Sequence, residues 1–295
     1  MTELVDKQKR SVAITGAGGG LGRATALAFA RKGYRVFGTA LKPEEVEELR
    51  AASEGAVRLT VCDITDEAAV FFWAKAVINE TGGGLDLLIQ NAGILSPGPF
   101  EVLKLNTVRH EFEVNLFGAL SVANAFIPAL RKQRGRIIYI STFTASLPLP
   151  FNGPSGASKA ALEVVATVQR AELKPFGIDV VIAAPGNMRT GGPALTAAAL
   201  KRVADGFTEG QRELYGKSFG AFADKLNAMQ SSGMAATEAA ARVVEISELI
   251  PAPLRVAVGE DAEEILRFVR EASLADQDLR RLEIMGLGPD GRPGT

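Results

Sequence analysis

The stretch that most constrains this chain is the apolar run Ser11-Val12-Ala13-Ile14-Thr15, which passes without a spacer into Gly16-Ala17-Gly18-Gly19-Gly20-Leu21-Gly22. A helical pattern follows from Arg23 to Phe29, so the order reads strand, tight turn, helix. Glycines at such a turn let the backbone approach a pyrophosphate closely. The helix that follows offers free N–H groups and the positive end of its dipole. The turn takes its meaning from its setting, because a second strand over residues 34–39 completes the unit that binds a dinucleotide.

The end of that second strand is where an acid would accept hydrogen bonds from the adenosine ribose and repel a 2′-phosphate. Ala40-Leu41-Lys42 stand there, with no acid among them, so NADP is expected ahead of NAD. Lys42 is the nearest cation able to neutralise the extra phosphate, and it reads equally as a solvated residue at the start of the helix opened by Pro43-Glu44-Glu45. A third strand ends at Asp63-Ile64, and a fourth, residues 85–90, runs into Asn91-Ala92-Gly93. Continuous apolar strands separated by helices make a parallel sheet covered on both faces, an α/β doubly wound (Rossmann) architecture. Ligands of such sheets sit at the carboxyl ends of the strands.

Composition narrows the function. The 295 residues, 47% of them hydrophobic, suffice for one domain with a full core, taken as residues 1–285 with a flexible tail over 286–295. With 33 basic against 34 acidic residues, a net of −1, nothing points to nucleic acid or an acidic membrane surface. Cys62 is the lone cysteine, which excludes an intramolecular disulfide and argues against a metal site; a buried inert thiol is expected. Residues 1–7 lack the apolar core of a signal peptide and no run approaches the roughly 20 apolar residues of a membrane span, so a cytoplasmic protein without a span is expected.

Thr15-Gly16-x-x-x-Gly20-x-Gly22, Asp63, Asn91-Ala92-Gly93, Asn115-Leu116-Phe117-Gly118 and Pro185-Gly186-x-x-x-Thr190 together resemble the short-chain dehydrogenase/reductase family over roughly residues 10 to 260. The ending around Arg255–Val258 is similar to the retinol and 17β-hydroxysteroid branch. The resemblance implies cofactor contacts from Thr15, Gly16, Gly20, Leu21, Gly22, Leu41, Lys42, Asp63, Ile64, Asn91, Ala92, Gly93, Lys159, Pro185, Gly186 and Thr190. It also implies a substrate-binding hydroxyl at the end of the strand over residues 136–140, then a tyrosine thirteen residues later and a lysine four beyond that.

Lys159 fills the lysine position, which puts Thr142 at the hydroxyl, with Ser141 beside it, and Ser155 where the tyrosine belongs. A phenol with a pKa near 10 can be lowered toward neutrality by neighbouring cations and exchange a proton with an alcohol. An aliphatic hydroxyl is far less acidic and shorter, and losing a positioned general acid typically costs about 10²–10⁴ in rate. Of the three tyrosines, Tyr34 begins a strand far from the chemistry and Tyr139 shares a sheet face with Ser141; Tyr215 alone is a possible substitute. Asn115, Thr142, Ser155 and Lys159 are therefore the expected catalytic set. His110 reads as solvated, about 140° around its helix from Asn115.

Residues 190–233 correspond to the family's substrate lid, and their apolar positions read equally as pocket lining or as core, with a subunit interface as a further alternative. With Leu147, Leu149 and Phe151 on the opposite wall, they suit a small hydrophobic or aromatic substrate. Three functions remain open: an NAD(P)-dependent oxidoreductase of hydrophobic alcohols and ketones or aldehydes; the same fold turned to lyase or isomerase chemistry or to nucleotide sensing; and a dehydrogenase disabled at position 155. The helices starting near Phe100 and Ser155 pair between subunits in many members of that family, which implies a homodimer or homotetramer.

Overall fold

The computed structural model describes residues 9–190 and 192–293, of which residues 192–194 are described by their backbone alone. Residues 1–7, where no signal-peptide core is expected, and the end of the expected tail, residues 294–295, lie outside the described residues.

Along β1 (Ser11–Ile14), Val12 and Ile14 face one side of a sheet and Ala13 the other, as strand periodicity requires. The chain continues through α1 (Gly20–Arg31), β2 (Arg35–Ala40), α2 (Pro43–Ala52), β3 (Val57–Val61), α3 (Glu67–Glu80) and β4 (Leu87–Gln90). It then forms α4 (Leu105–Phe112), a six-residue π-helical turn (Glu113–Gly118), α5 (Ala119–Gln133), β5 (Arg136–Ile140), α6 (Gly153–Leu173) and β6 (Asp179–Pro185). A two-residue strand, β7 (Met188–Arg189), leads into α7 (Gly192–Asp205) and α8 (Glu209–Ser232), and β8 (Met234–Ala235) leads out to α9 (Ala236–Glu248). The last strand of the main sheet is β9 (Arg255–Val258), followed by α10 (Glu260–Glu271) and α11 (Leu274–Ile284).

The main sheet has the order β3-β2-β1-β4-β5-β6-β9 with every pair parallel, the expected doubly wound arrangement. Strand order reverses between β1 and β4, and there the carboxyl ends open a crevice. One face packs on α1 and α9 through Val12, Ile14, Phe29, Ile89 and Val243. The other packs on α3, α5 and α6 through Phe37, Leu88, Ile137 and Tyr139, with Trp73 edge-on to Phe126 at 5.0 Å. Among the described residues, one helix, Leu105–Gln133, is long and apolar enough to cross a membrane. Its Val122, Phe126 and Leu130 are fully buried in the second core, which makes it an interior helix of this fold.

A third cluster belongs to the lid. Leu200, Phe207, Phe219 and Phe222 are buried with Leu147 and Ile265, so these apolar lid residues are core. Pairing of β7 with β8 ties the entry of the lid to its exit; a side chain at Gly233 would meet the Asn187 carbonyl at 2.3 Å, so only glycine fits that close approach. The expected loose tail is instead folded back as far as it is described. Leu287 is buried in the lid cluster and bridges Pro293, while Ser218 donates to the Gly291 carbonyl.

Candidate active site

The glycine turn is built around Thr15 and Asn91. Thr15 is fully buried and its Oγ1 accepts from the backbone N–H groups of Asn91 and Ala92, both at 3.0 Å. Asn91 Nδ2 donates back to the carbonyls of Thr15 and Gly16 at 3.0 and 3.1 Å. These four bonds lock the ends of β1 and β4 together on the crevice side. Gly16 has φ +64°, and a Cβ at Gly22 would lie 2.2 Å from the Gly16 carbonyl oxygen, so both glycines are dictated by the backbone. The N-cap of α1 is Gly19, which offers no side-chain cap, so the first N–H groups of the helix face the crevice.

A cavity of about 420 Å³ lies against this turn, lined by Gly16, Gly20, Leu21, Leu41, Asp63, Ile64, Asn91, Ala92 and Gly93 among others. Gly19 is open, with no atom within 4 Å of where its Cβ would stand. The residues thus fit a dinucleotide. Lys42 is not in the wall, and an acid stands where none was expected. Glu45 lines the cavity, and its Oε2 accepts from the N–H groups of Leu41 and Lys42 at 3.1 and 3.3 Å. Asp63 Oδ1 is held by the N–H and hydroxyl of Thr65. His110 is exposed, as expected, and also borders this cavity. Cys62 is buried, and burial pushes its thiol up to about 11, consistent with an inert group.

A second cavity, about 330 Å³, continues from the first across Leu21, Asn91, Gly93, Ile94, Met188 and Thr190, which line both. Its wall includes Thr142, Thr144, Asn152, Ser155, Lys159, Pro185 and Gly186. Thr142 Oγ1 accepts from the Thr144 N–H and hydroxyl, each at 3.3 Å, which leaves its own proton to donate into the cavity. The Ser155 hydroxyl has no partner among the described residues, and Ser155 and Lys159 are neighbours one turn apart on α6. Lys159 is buried, donates to the Ile140 carbonyl at 2.8 Å, and is lowered by burial to about 8. Asp261, on α10, holds Asn187 through two bonds and so fixes the loop after Pro185.

Behind this wall, Asn115 is fully buried in the π turn. Its Oδ1 accepts from the Ile94 N–H at 2.9 Å and its Nδ2 donates to the Ile94 carbonyl and to Ser158 Oγ. Asn115 therefore holds the segment after Gly93 and does not itself line the cavity. One turn earlier sits Glu111, also fully buried, accepting from the Ser96 N–H at 2.8 Å. Burial pushes its carboxyl up to about 7, against the pull of the Ser96 bonds and the Lys159 charge.

Three expected substrate residues are placed otherwise. Ser141 lines the cavity but its hydroxyl donates to Glu163 at 2.5 Å. Phe151 is packed edge-on against Phe219 and Phe222 in the lid core, and Leu147 is fully buried there too; of the expected wall only Leu149 reaches the cavity. Tyr215 is absent from the wall, and its hydroxyl bonds Glu101, which raises its pKa. Tyr139 donates to Gln169 inside the helix packing, as its sheet face implied. Sequence reasoning missed Glu45, Glu111 and Asn152. Glu111 was within reach, since i and i+4 on a helix place it under Asn115. Glu45 stands three residues after Lys42, the spacing of a capping box.

The short chain dehydrogenase family matches residues 10–198. The chain is 35% identical over 185 residues to the 3-ketodihydrosphingosine reductase of Bacteroides thetaiotaomicron, covering 62% of this chain and 66% of that protein. It is 32% identical over 216 residues to retinol dehydrogenase 16 of Mus musculus, covering 72% of this chain and 68% of that one. Among solved structures, a short chain dehydrogenase from Burkholderia cenocepacia in complex with NADP superposes with a TM-score of 0.68 at 26% identity, covering 90% of this chain and 94% of the other. The glycine turn, the sheet that carries it and a sequence match across more than half the chain have one origin: this protein belongs to the short-chain dehydrogenase family.

Proposed function

We propose that the protein is an NADP-dependent oxidoreductase that interconverts a hydrophobic secondary alcohol and its ketone, or a primary alcohol and its aldehyde. The observation that carries this reading is the wall shared by the two cavities. A dinucleotide seated on the glycine turn reaches, past Leu21, Asn91 and Thr190, a chamber lined by Thr142, Ser155 and Lys159. When bound, NADP supplies or accepts the hydride. Thr142 directs its free hydroxyl proton at the substrate oxygen. Lys159, with a pKa near 8, holds a proton at neutral pH and passes it through water at the Ser155 hydroxyl, since no phenol stands there. Leu149, Leu226 and Met229 supply an apolar wall for the rest of the substrate.

NADP is supported by the bound cofactor of the Burkholderia neighbour. NAD is the alternative, which Glu45 would favour if its carboxylate faced the adenosine ribose, where it would repel a 2′-phosphate. The ratio of kcat/KM with NADPH to that with NADH decides between them. On α6, Val164 and Val168 are exposed one turn apart, which supports pairing of this helix in a homodimer or homotetramer. A monomer by light scattering at micromolar concentration would overturn that assembly.

The testing experiment follows NADPH and NADH consumption over a panel of hydrophobic ketones and aldehydes for the native chain and Ser155→Tyr. Slow turnover by the native chain and a gain of about 10² or more in the variant is expected. No consumption by either protein on any carbonyl refutes the reading.

A further inference from the structure

Two side chains that line the cavity beside Ser155 carry buried amide oxygens for which the described residues supply no donor. Asn152 is 7% exposed and its Oδ1 is buried without a hydrogen-bond partner; Gln230 Oε1 is buried in the same condition. Both residues line the 330 Å³ cavity, one from the body of the domain and one from lid helix α8. Buried polar atoms are normally paired, and an exception calls for a partner that the chain alone does not provide.

The position of Asn152 sharpens the point. It is the N-cap of α6, where asparagine is favoured because its side-chain oxygen accepts an N–H from the second or third helical residue. Asn152 makes no such bond. The second helical residue is Pro154, which has no N–H, so one of the two usual donors is missing and the amide lies in the cavity wall instead. Its terminal torsion is soft, so the amide oxygen can turn toward a ligand. It stands three positions before Ser155, and both residues line the cavity.

The charges in the wall select the kind of donor. Among the described residues no Asp or Glu lines this cavity, and Lys159 is the one charged residue in its wall. A substrate ammonium would meet a cation and no carboxylate, whereas a hydroxyl brings its proton without charge. We propose that Asn152 and Gln230 form a subsite for a substrate hydroxyl lying within two or three carbons of the reacting carbonyl. The substrate class is then a hydroxylated ketone with an apolar chain. The subsite is read from the unpaired amides, and only the position of the carbonyl rests on the oxidoreductase reading.

The test measures binding by calorimetry, without turnover, for a straight-chain secondary alcohol, its vicinal diol and its vicinal amino alcohol of equal chain length. The diol is expected to bind at least about 10-fold tighter than the plain alcohol, and Asn152→Leu or Gln230→Met to bring that ratio close to one. Gln230→Met lies on the lid, away from the start of α6, and serves if Asn152→Leu fails to fold. Equal affinity for diol and plain alcohol, or a preference that survives both substitutions, overturns the subsite; tightest binding of the amino alcohol overturns its neutral character. NADPH and NADH consumption on the matching ketones separates the two readings. Turnover of both ketones alike sinks the subsite and leaves the oxidoreductase standing, while diol preference without turnover does the reverse.

Discussion

Replacing Glu111 by glutamine tests the electrostatics of the site directly. The carboxyl is fully buried and titrates near 7 rather than 4.5, chiefly because burial disfavours its charge. Between pH 4.5 and 7 the unfolded chain has released this proton and the folded chain has not, so the folded state loses stability as pH rises through that window. Each pKa unit is about 1.4 kcal/mol, so the full difference is about 3 kcal/mol above pH 7. Glutamine cannot titrate, yet still accepts from the Ser96 N–H. Glu111→Gln should match the native chain near pH 4.5 and exceed it progressively to pH 7.5. Three kcal/mol is a ceiling, because Lys159 loses the negative charge that raises its own pKa. The same loss should move a Lys159-controlled limb of the pH–rate profile to lower pH. Urea unfolding followed by the fluorescence of Trp73, the lone tryptophan and a buried one, gives the stabilities. A difference that stays flat from pH 4.5 to 7.5, or that falls with pH, would refute the buried-carboxyl reasoning.

Gly22→Ala places a methyl 2.2 Å from the Gly16 carbonyl and 2.5 Å from Asn91 Nδ2, and should cost about 1–3 kcal/mol and weaken NADPH and NADH binding, measured by calorimetry. Tyr215→Phe removes a hydroxyl that bonds Glu101 outside the cavity, so kcat should stay within about twofold of native and stability within about 0.5 kcal/mol. A loss approaching that typical of a general acid would return Tyr215 to the reaction.

The features legible in the residues alone are local or periodic. The order of strand, glycine turn and helix is written within some twenty residues, because φ > 0 at Gly16 and the close approach at Gly22 admit few alternatives. The parallel sheet followed from uninterrupted apolar strands, whereas Thr142, Ser155 and Lys159 were picked out by the resemblance to the family's spacing of hydroxyl, tyrosine and lysine, and the three line one cavity. Long-range packing decided the rest. Whether Phe151 and Tyr215 faced substrate, core or solvent depended on how α8 settles over the body, a choice between amphipathic faces that composition does not make. Glu45 reached the wall of the larger cavity only because its carboxylate folds back onto the N–H groups of Leu41 and Lys42 just ahead of α2. Glu111 became a perturbed carboxyl only because neighbouring elements exclude water from its side of α4, and Asn152 became an unpaired amide only because packing at the start of α6 buries its oxygen where Pro154 offers no N–H. Desolvation is a property of the whole packed molecule, and a sequence carries it only after the fold has brought its surfaces together.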